Sequence, residues 1–153
     1  AGFQRRADGG DTINILLNYG YAIVRACVAR ALVAAGLHPA LGLHHANRSN
    51  AFCLADDFME PLRPMVDAVV RRLAGAGVQQ LDREAKSQLL GLLAATVRLG
   101  EQTGPFLVQL QRSVASLVRC IGRLDDKLLI IEPSIVGQDS APDRELARSG
   151  AES

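Results

Sequence analysis

The sequence predicts an all-α protein, a helical bundle folded as one domain, and three observations support this. First, 153 residues are enough for one hydrophobic core but not for two. Second, alanine and leucine dominate while aromatic residues make up only 4% of the chain, a composition that packs helices better than pleated sheets. Third, hydrophobic residues at 48% and charged residues at 22% are typical of a globular chain, so a wholly disordered protein is excluded.

The first predicted element is a long central helix. Residues 1–10 are polar and glycine-rich and predict a leading loop. Asp11 or Thr12 is then expected to cap a helix that continues to about Ala35, with Gly36 ending it. Because this helix is apolar on nearly all sides, we expect it to be buried at the centre of the bundle.

A stripe of polar residues interrupts this apolar helix. Asn14, Asn18, Tyr21 and Arg25 have the spacing i, i+4, i+7, i+11, which places them within a narrow sector of the helix surface. Burying such groups without partners costs about 1–3 kcal/mol each, so they need water, a partner or a polar pocket. Two interpretations remain open: hydrogen bonds between helices of the bundle, or the floor of a pocket beside a site on the next helix.

The middle of the chain predicts a loop and then a divided helix. Residues 36–50 are rich in residues that favour turns, and they predict a loop. Pro61 and Pro64 then interrupt a helical stretch, because proline removes a backbone donor and clashes with the preceding turn. We therefore expect two helical segments, 51–60 and 62–75.

The C-terminal half predicts two more helices and a tail. Asp82 is expected to cap a third helix that ends at Gly100. A fourth helix has Pro105 in its first turn and ends near Leu124, and the apolar run after it is too short to define an element. The predicted organisation is a truncated leading segment at 1–10, a helical domain at 11–132 and a disordered tail at 133–153.

Charge and cysteine content narrow the function classes. A net charge of +1 excludes a strongly basic protein that wraps nucleic acid, but 15 of the 17 basic residues are arginines, which favour bidentate contacts to phosphate or carboxylate. Three cysteines without a C-x-x-C pair argue against a zinc ribbon, a thioredoxin motif and a disulfide framework. Charged residues interrupt the long apolar stretches and no signal peptide is found, so we expect a cytoplasmic protein without a membrane segment.

The segment 42–63 carries a pattern that suits metal chemistry, because loop histidines lead into a helix with several carboxylates. The residues concerned are His44, His45, Asp56, Asp57 and Glu60. The i, i+3 and i, i+4 spacings let the carboxylates share one helix face. Oxygen ligands with one imidazole suit Mn²⁺ or Mg²⁺ better than zinc, and such an ion would polarise a phosphodiester and activate a nucleophile. The alternative is a solvated charged face beside histidines that only cap the loop.

A second polar stripe lies on the fourth predicted helix. Arg112, Ser116, Arg119 and Arg123 again follow the spacing i, i+4, i+7, i+11. Guanidinium and hydroxyl groups along one ridge fit a phosphate backbone. A charged outer helix face is the alternative, because two aspartates follow at once. No phosphate-binding glycine fingerprint and no nucleophile motif with a catalytic spacing is found.

Two stretches resemble a known family. NILLNYGYAIVRA at 14–26 and ALVAAGLHPALGLHHANRSNAFCLADDFMEPLRPMVD at 31–67 are similar to the CRISPR-associated endonuclease-integrase that acquires spacers for antiviral defence. The branch found beside type II effectors is the most similar, and the resemblance covers about residues 3–132. It implies a helical C-terminal lobe with a divalent-metal site that binds Mg²⁺ or Mn²⁺.

The resemblance also implies roles for particular residues. The histidine ligand of the family corresponds to His45 and the acidic ligand to Glu60, while Asp57 has a supporting or ligand role in catalysis. Asn18 and Tyr21 correspond to the segment that lines the site. The ligand role is not carried over to His44, where the branch tolerates an aromatic residue.

The implied reaction is the joining of DNA. A DNA 3′-hydroxyl attacks a phosphodiester at the repeat boundary, and water replaces the hydroxyl in simple cleavage. The implied partners are double-stranded DNA, a second copy in a homodimer and a small dimeric companion protein of the adaptation system. Arg48, Arg112 and Arg119 are the candidates for contacts to the DNA backbone.

The chain departs from the family at its start. The family has a further glutamate ligand on a helix upstream of the NYGY segment, and an N-terminal β-domain. Only 17 residues precede that segment here, and none of them is a glutamate. We therefore expect a truncated C-terminal piece that lacks one catalytic glutamate and is inactive alone.

Three other functions are the alternatives to this one. A non-catalytic helical module would bind nucleic acid without needing Glu60. A helical metal phosphohydrolase needs an adjacent His-Asp pair, which the sequence lacks. A structural scaffold would be indifferent to Mn²⁺.

Overall fold

The helices are as expected in the first half of the chain. The computed structural model describes residues 12–41 and 50–135, and the side chains of all of these except 133–135. Five helices are α1 (Thr12–Ala34), α2 (Cys53–Met59), α3 (Arg63–Gly75), α4 (Arg83–Leu90) and α5 (Phe106–Ile121). A 3₁₀ turn at Glu60–Leu62 joins α2 to α3, so the predicted division of this helix is confirmed. About 65% of the described residues are helical, and the all-α fold class is confirmed.

Helix α1 is the centre of the core. Leu16, Val28 and Leu32 are completely buried against α2, α3, α4 and α5. Gly36 follows with φ +79°, the left-handed conformation in which glycine ends helices. By length and hydropathy α1 also meets the requirements of a membrane span, but the core helix of a globular domain meets the same requirements. The packing of α1 accounts for its apolar composition.

The α2–α3 segment runs antiparallel to α1. Near the C-terminal half of α1, Arg25 binds Asp56 of α2, and at the opposite end Thr12 donates to the carbonyl of Gln79, 2.6 Å away. Between these ends Gly20 brings α1 close to α3, because a Cβ added there would lie 2.5 Å from a methyl group of Val66. The two helices are therefore in close contact at Gly20.

A small antiparallel sheet covers part of α5. Its strands are β1 (Thr96–Leu99), β2 (Gln102–Pro105) and β3 (Ile131–Ile135), in the order β2-β1-β3. β1 and β2 form a hairpin that turns at Gly100, whose φ is +59°. Val97, Leu99 and Ile131 are buried, so one face of the sheet completes the hydrophobic core.

The third predicted helix was too long. α4 ends at Leu90, a 3₁₀ turn follows at Gly91–Ala94, and the residues expected to continue the helix form β1 instead. Val97 and Leu99 are buried while Thr96 and Arg98 are exposed, which is the alternation of a half-buried strand. Pairing with β2 and β3 therefore outweighs the local helix preference.

The cap predicted at Asp82 is confirmed, since its carboxylate accepts a hydrogen bond of 2.8 Å from the backbone N–H of Ala85.

The predicted boundaries fit less well at the ends of the chain. The predicted domain boundary at 132 falls within β3, which continues to Ile135. The predicted leading segment at 1–10, the candidate cap at Asp11 and the tail beyond 135 lie outside the described residues.

Candidate functional site

The line of contact between α1 and the α2–α3 segment contains several of the polar side chains singled out in the first half of the chain. We call this line the polar seam, and its members are Tyr21, Arg25, Asp56, Glu60, Arg63 and Asp67. It follows the polar stripe of α1, which therefore faces the next two helices along part of its length.

Arg25 and Asp56 form the best-defined contact of the seam. The guanidinium donates from Nε to one carboxylate oxygen at 2.6 Å and from Nη2 to the other at 2.8 Å, a bidentate ion pair. Asn50 adds a third hydrogen bond of 2.8 Å to the same carboxylate, and the ring of Phe52 lies 5.4 Å from the guanidinium carbon. The pair thus joins α1, α2 and the segment just before α2.

The environment of Asp56 holds its carboxyl in the charged form. Burial alone would raise the pKa of Asp56. The hydrogen bonds from Arg25 and Asn50, together with the charges of Arg25 and Arg63, outweigh burial, and the pKa lies below its usual value. A carboxylate so fully occupied by donors is a structural ion-pair partner and not a vacant ligand.

The second arginine of the seam is Arg63, the first residue of α3. Arg63 donates from Nε to Glu60 at 2.9 Å, and its guanidinium carbon lies 4.8 Å from the centroid of the Tyr21 ring. The hydroxyl of Tyr21 is hydrogen-bonded to the carboxylate of Asp67. The ring beneath Arg63 is therefore fixed from α3, and the arginine is held between an aromatic face and a carboxylate.

Glu60 is the accessible carboxylate of the seam. It lies in the 3₁₀ turn after α2, and 53% of its side chain is exposed. One of its oxygens accepts the hydrogen bond from Arg63. Because half of the side chain faces solvent, Glu60 can offer an oxygen to a cation, and its predicted role as a ligand stays a prediction.

The structure does not place the three carboxylates together. Asp56 faces α1, whereas Asp57 lines a cavity of about 170 Å³ with residues of α5 and of the segment before β3. Ser113, Leu128 and Ile131 are part of that lining. The shared carboxylate face expected from the spacing is therefore wrong, because adjacent helical positions point about 100° apart.

The stretch after α1 is bonded to the first turn of α2. The carbonyl of Pro39 accepts hydrogen bonds from the backbone N–H groups of Leu54 at 2.7 Å and Ala55 at 3.4 Å. These bonds bring together the two ends of the segment that carries His44, His45 and Arg48. Those three residues lie outside the described residues, so their predicted roles stay predictions.

The described residues do not form a complete metal site by themselves. Within residues 12–41 and 50–135, no three His, Cys, Asp or Glu side chains are close enough to hold one ion together. The chemistry of Glu60 nevertheless fits, since a half-exposed carboxylate oxygen is a ligand that Mg²⁺ and Mn²⁺ prefer. The described part of the chain thus supplies one suitable donor.

The two residues predicted to line the pocket differ in burial and in hydrogen bonding. Tyr21 is half-buried and bonded to Asp67, while Asn18 is exposed on α1. Neither lines the small cavity beside Asp57, nor the larger apolar groove of about 600 Å³ between α1 and α5. For Tyr21 and Arg25 the structure favours the first interpretation of the polar stripe, hydrogen bonds between helices.

The arginines of α5 are on its surface. Arg112 donates to the side chain of Gln102, and Arg119 lies 3.2 Å from Asp125 in an exposed ion pair. Ser116 does not belong to this ridge: it is buried and accepts a hydrogen bond from the backbone of Leu129. Contacts of Arg112 and Arg119 to DNA stay a prediction.

Three residues of the site, Asn50, Arg63 and Asp67, were not predicted. Asn50 and Asp67 have partners 6 and 46 positions away, and no local pattern reveals such partners. Asn50 carried a weak signal, because asparagine before a helix bonds the backbone two residues on, as it does here with the N–H of Phe52 at 2.9 Å. Asp67 had no comparable signal.

Comparison with known proteins gives consistent matches. A family profile described as CRISPR associated protein Cas1 matches residues 1–98. The CRISPR-associated endonuclease Cas1 of Neisseria meningitidis serogroup C (strain 8013) is 40% identical over 108 residues, which cover 69% of this chain and 36% of that protein. CRISPR-associated endonuclease Cas1 2 of Pyrobaculum aerophilum is 36% identical over 122 residues, covering 76% and 40%.

A solved structure is similar as well. A casposase bound to integration product superimposes with a TM-score of 0.68 and 27% identity, covering 80% of this chain and 41% of the casposase. The chain therefore spans about two-fifths of the length of the proteins it matches.

Proposed function

Because this chain belongs to the family of CRISPR-associated protein Cas1, we propose that it forms the helical catalytic lobe of a metal-dependent DNA endonuclease and integrase. The observation that carries the proposal is the family match over residues 1–98, a range that contains the whole polar seam. The likeness to a casposase bound to integration product supports the same reaction class. Insertion of spacer DNA into a CRISPR array would be the physiological outcome.

We propose that the ligands of the ion are His45 and Glu60, with Asp57 in a supporting or ligand role. Mg²⁺ and Mn²⁺ suit this donor set. When bound, the ion supplies stabilisation of the charge that develops on the phosphate and activates the attacking oxygen. The side chain of Glu60 is oriented by Arg63, which limits the positions that its carboxylate can take. Arg25 fixes α2, from which the turn bearing Glu60 continues.

We propose partners from the same family membership. They are double-stranded DNA, a second copy of the full-length protein and a small dimeric companion adaptation protein, all in the cytoplasm. Arg48, Arg112 and Arg119 are the proposed backbone contacts predicted from the sequence. Exposure of Arg112 and Arg119 on α5 supports their availability.

The test uses a fusion, because the chain spans only part of the length of its relatives. The fusion places the portion of the Neisseria meningitidis relative that precedes the matched region ahead of this chain, and joining of a labelled duplex to a repeat-containing plasmid is measured in manganese buffer. We expect the fusion to join DNA and its His45→Ala and Glu60→Ala variants to give no product above background. Glu84→Gln on α4 is the matched control, because Glu84 is an exposed carboxylate away from the seam.

Folding and metal binding are followed in parallel. Circular dichroism of each variant should be unchanged, and Mn²⁺ should raise the melting temperature of the fusion but not of its Glu60→Ala variant. Full DNA joining by either alanine variant would contradict the proposal.

In a second candidate function, the protein binds DNA but does not cut or join it. A non-catalytic nucleic-acid-binding module is favoured by the exposure of Arg112 and Arg119 on the surface of α5. It predicts salt-sensitive DNA binding that is the same with and without Glu60. Joining by the fusion and its loss in Glu60→Ala would exclude this alternative.

A further inference from the structure

We propose that Arg25 and Arg63 form a phosphate-binding pair on the polar seam, which takes the phosphodiester backbone of DNA. This inference rests on the proposed function only in taking DNA as the ligand. It requires neither a metal ion nor His45. It assigns to the seam a binding role that is separate from the α5 arginines.

Both arginines are preorganised in the same way. Each guanidinium lies over an aromatic ring, Arg25 over Phe52 at 5.4 Å and Arg63 over Tyr21 at 4.8 Å, and each bonds a carboxylate. Among the described residues these are the arginines for which such a ring contact is found. An arginine already held in place loses less conformational entropy when it binds a ligand.

Both arginines also retain unused donors. A guanidinium has five N–H donors, and the carboxylate contacts use two from Arg25 and one from Arg63. Their side chains are 43% and 28% exposed, so the remaining terminal N–H groups have access to a ligand from solvent. Phosphate oxygens are acceptors that match this fork of donors.

The two guanidinium groups lie about one helical turn apart along the seam. Arg25 bonds Asp56 and Arg63 bonds Glu60, four positions later, and the ring beside Arg63 belongs to Tyr21, four positions before Arg25 on α1. Asp56 and Glu60 balance their charge in the free protein, which agrees with a net charge of only +1. Attraction for DNA at the seam is therefore short-ranged and needs close contact.

Arg98 provides a contrast within the same chain. It lies 3.8 Å from Glu132 across the sheet, and both side chains are about half exposed. This is a surface ion pair of the kind that contributes little. Arg98 is therefore the matched control for removing one arginine.

The experiment measures DNA affinity against salt in the presence of EDTA. The 153-residue chain and its variants bind a short fluorescent duplex between about 50 and 200 mM salt, a range over which phosphate contacts lose affinity steeply. We expect Arg63→Gln to reduce the slope of log K against log salt by about 1, and Arg25→Gln/Asp56→Asn by about 1, the change for one phosphate contact. Arg98→Gln should leave the slope unchanged.

The Asp56→Asn single variant is expected to change DNA affinity in the opposite direction. It frees Arg25 from its carboxylate, so DNA affinity should rise by about two- to fivefold, the factor for one unit charge a few ångströms away in water. A purely structural role of the pair predicts that every seam variant weakens binding. Equal melting temperatures, or correction for the folded fraction, keep the comparison valid.

The outcomes separate the two proposals. If the chain binds DNA and the Arg63→Gln and Arg25→Gln/Asp56→Asn variants keep the wild-type slope, the inference is overturned while the proposed function stands. Weaker binding by Asp56→Asn would also overturn it. If Glu60→Ala abolishes joining by the fusion but the seam variants do not alter salt dependence, only the phosphate pair is excluded. Absence of any DNA binding by the 153-residue chain would overturn the inference, whereas the proposed function is decided by joining with the fusion.

Discussion

Arg25 and Asp56 lie 31 positions apart in the sequence, yet their side chains share two hydrogen bonds of 2.6 and 2.8 Å. This ion pair ties the middle of α1 to the first turn of α2. Through Asn50, it also fixes the segment that leads into α2. One carboxylate thereby sets the relative position of three parts of the chain.

The stability contributed by this pair should depend on pH. Because the pKa of Asp56 is lowered on folding, its contribution is complete above the unfolded value of about 3.9 and is lost as the pH falls through the lower folded value. Asp56→Asn should lower the free energy of unfolding at pH 7 by about 1 kcal/mol, because part of the pair is exposed to solvent. Urea titrations at pH 7 and pH 3 measure the difference, which should shrink at pH 3.

The control for this experiment is the exposed pair on the surface. Asp125→Asn removes the partner of Arg119, whose ion pair is longer and more exposed, and the change should stay within about 0.5 kcal/mol at both pH values. A pH-independent loss in Asp56→Asn would show that its charge is not the cause.

Gly20 is expected to tolerate no side chain. A methyl group there would lie 2.5 Å from Val66 and 3.3 Å from Leu89, so α1 and α3 would have to separate. Gly20→Ala should cost about 1–3 kcal/mol, as overpacked cores do. Gly75→Ala is the control, because nothing lies within 4 Å of its added methyl group, and thermal melting of the two variants compares them directly.

Tyr21 should stabilise the protein through its hydroxyl and its ring separately. Tyr21→Phe loses the hydrogen bond to Asp67 and should cost about 1 kcal/mol, the usual net contribution of such a bond. Tyr21→Leu should cost about 0.5–1 kcal/mol more, since it also removes the ring beneath Arg63. Equal stability of the two variants in chemical denaturation would contradict this. Tyr19→Phe, without a comparable bond, should be nearly neutral.

The cap of α4 can be tested in the same way. Asp82 accepts the N–H of Ala85, and its replacement by alanine should lower the free energy of unfolding by about 1 kcal/mol. Asp82→Ser should recover most of the loss, because serine also caps helices. Asp126→Ala, an exposed aspartate after α5, should have no effect, and a matching loss there would point to general charge effects.

The sequence predicts the helices of the first half well because their limits depend on local chemistry. Gly36 adopts the positive φ that ends α1, and Pro61 lies in the 3₁₀ turn that divides the next helix. These are effects of the residue itself on its own backbone. They do not depend on distant partners.

The sheet was missed because its strands are stabilised by pairing. β1 follows a strongly helical stretch, and only the alternation of Thr96 to Leu99 before Gly100 indicates a strand. Its other partner, β3, begins at Ile131, more than thirty residues later. Local propensity contains no information on such pairing.

The candidate site was only partly predictable, because local spacing identifies a polar residue but not its partner on another helix. Spacing identified Arg25 and Tyr21 as a polar stripe, and resemblance indicated Glu60. The partners of the stripe come from other helices, so only the folded chain reveals Asp67 and the separation of Asp56 from Asp57.

The bonds from Leu54 and Ala55 to the carbonyl of Pro39 have a practical consequence for engineering. Only backbone groups take part in these bonds, so the tie between the stretch after α1 and the first turn of α2 survives a change of side chain at positions 54 and 55. Proline is the exception, because it has no N–H to donate. A library of variants in this turn should therefore leave proline out and admit the other residues that fit the core.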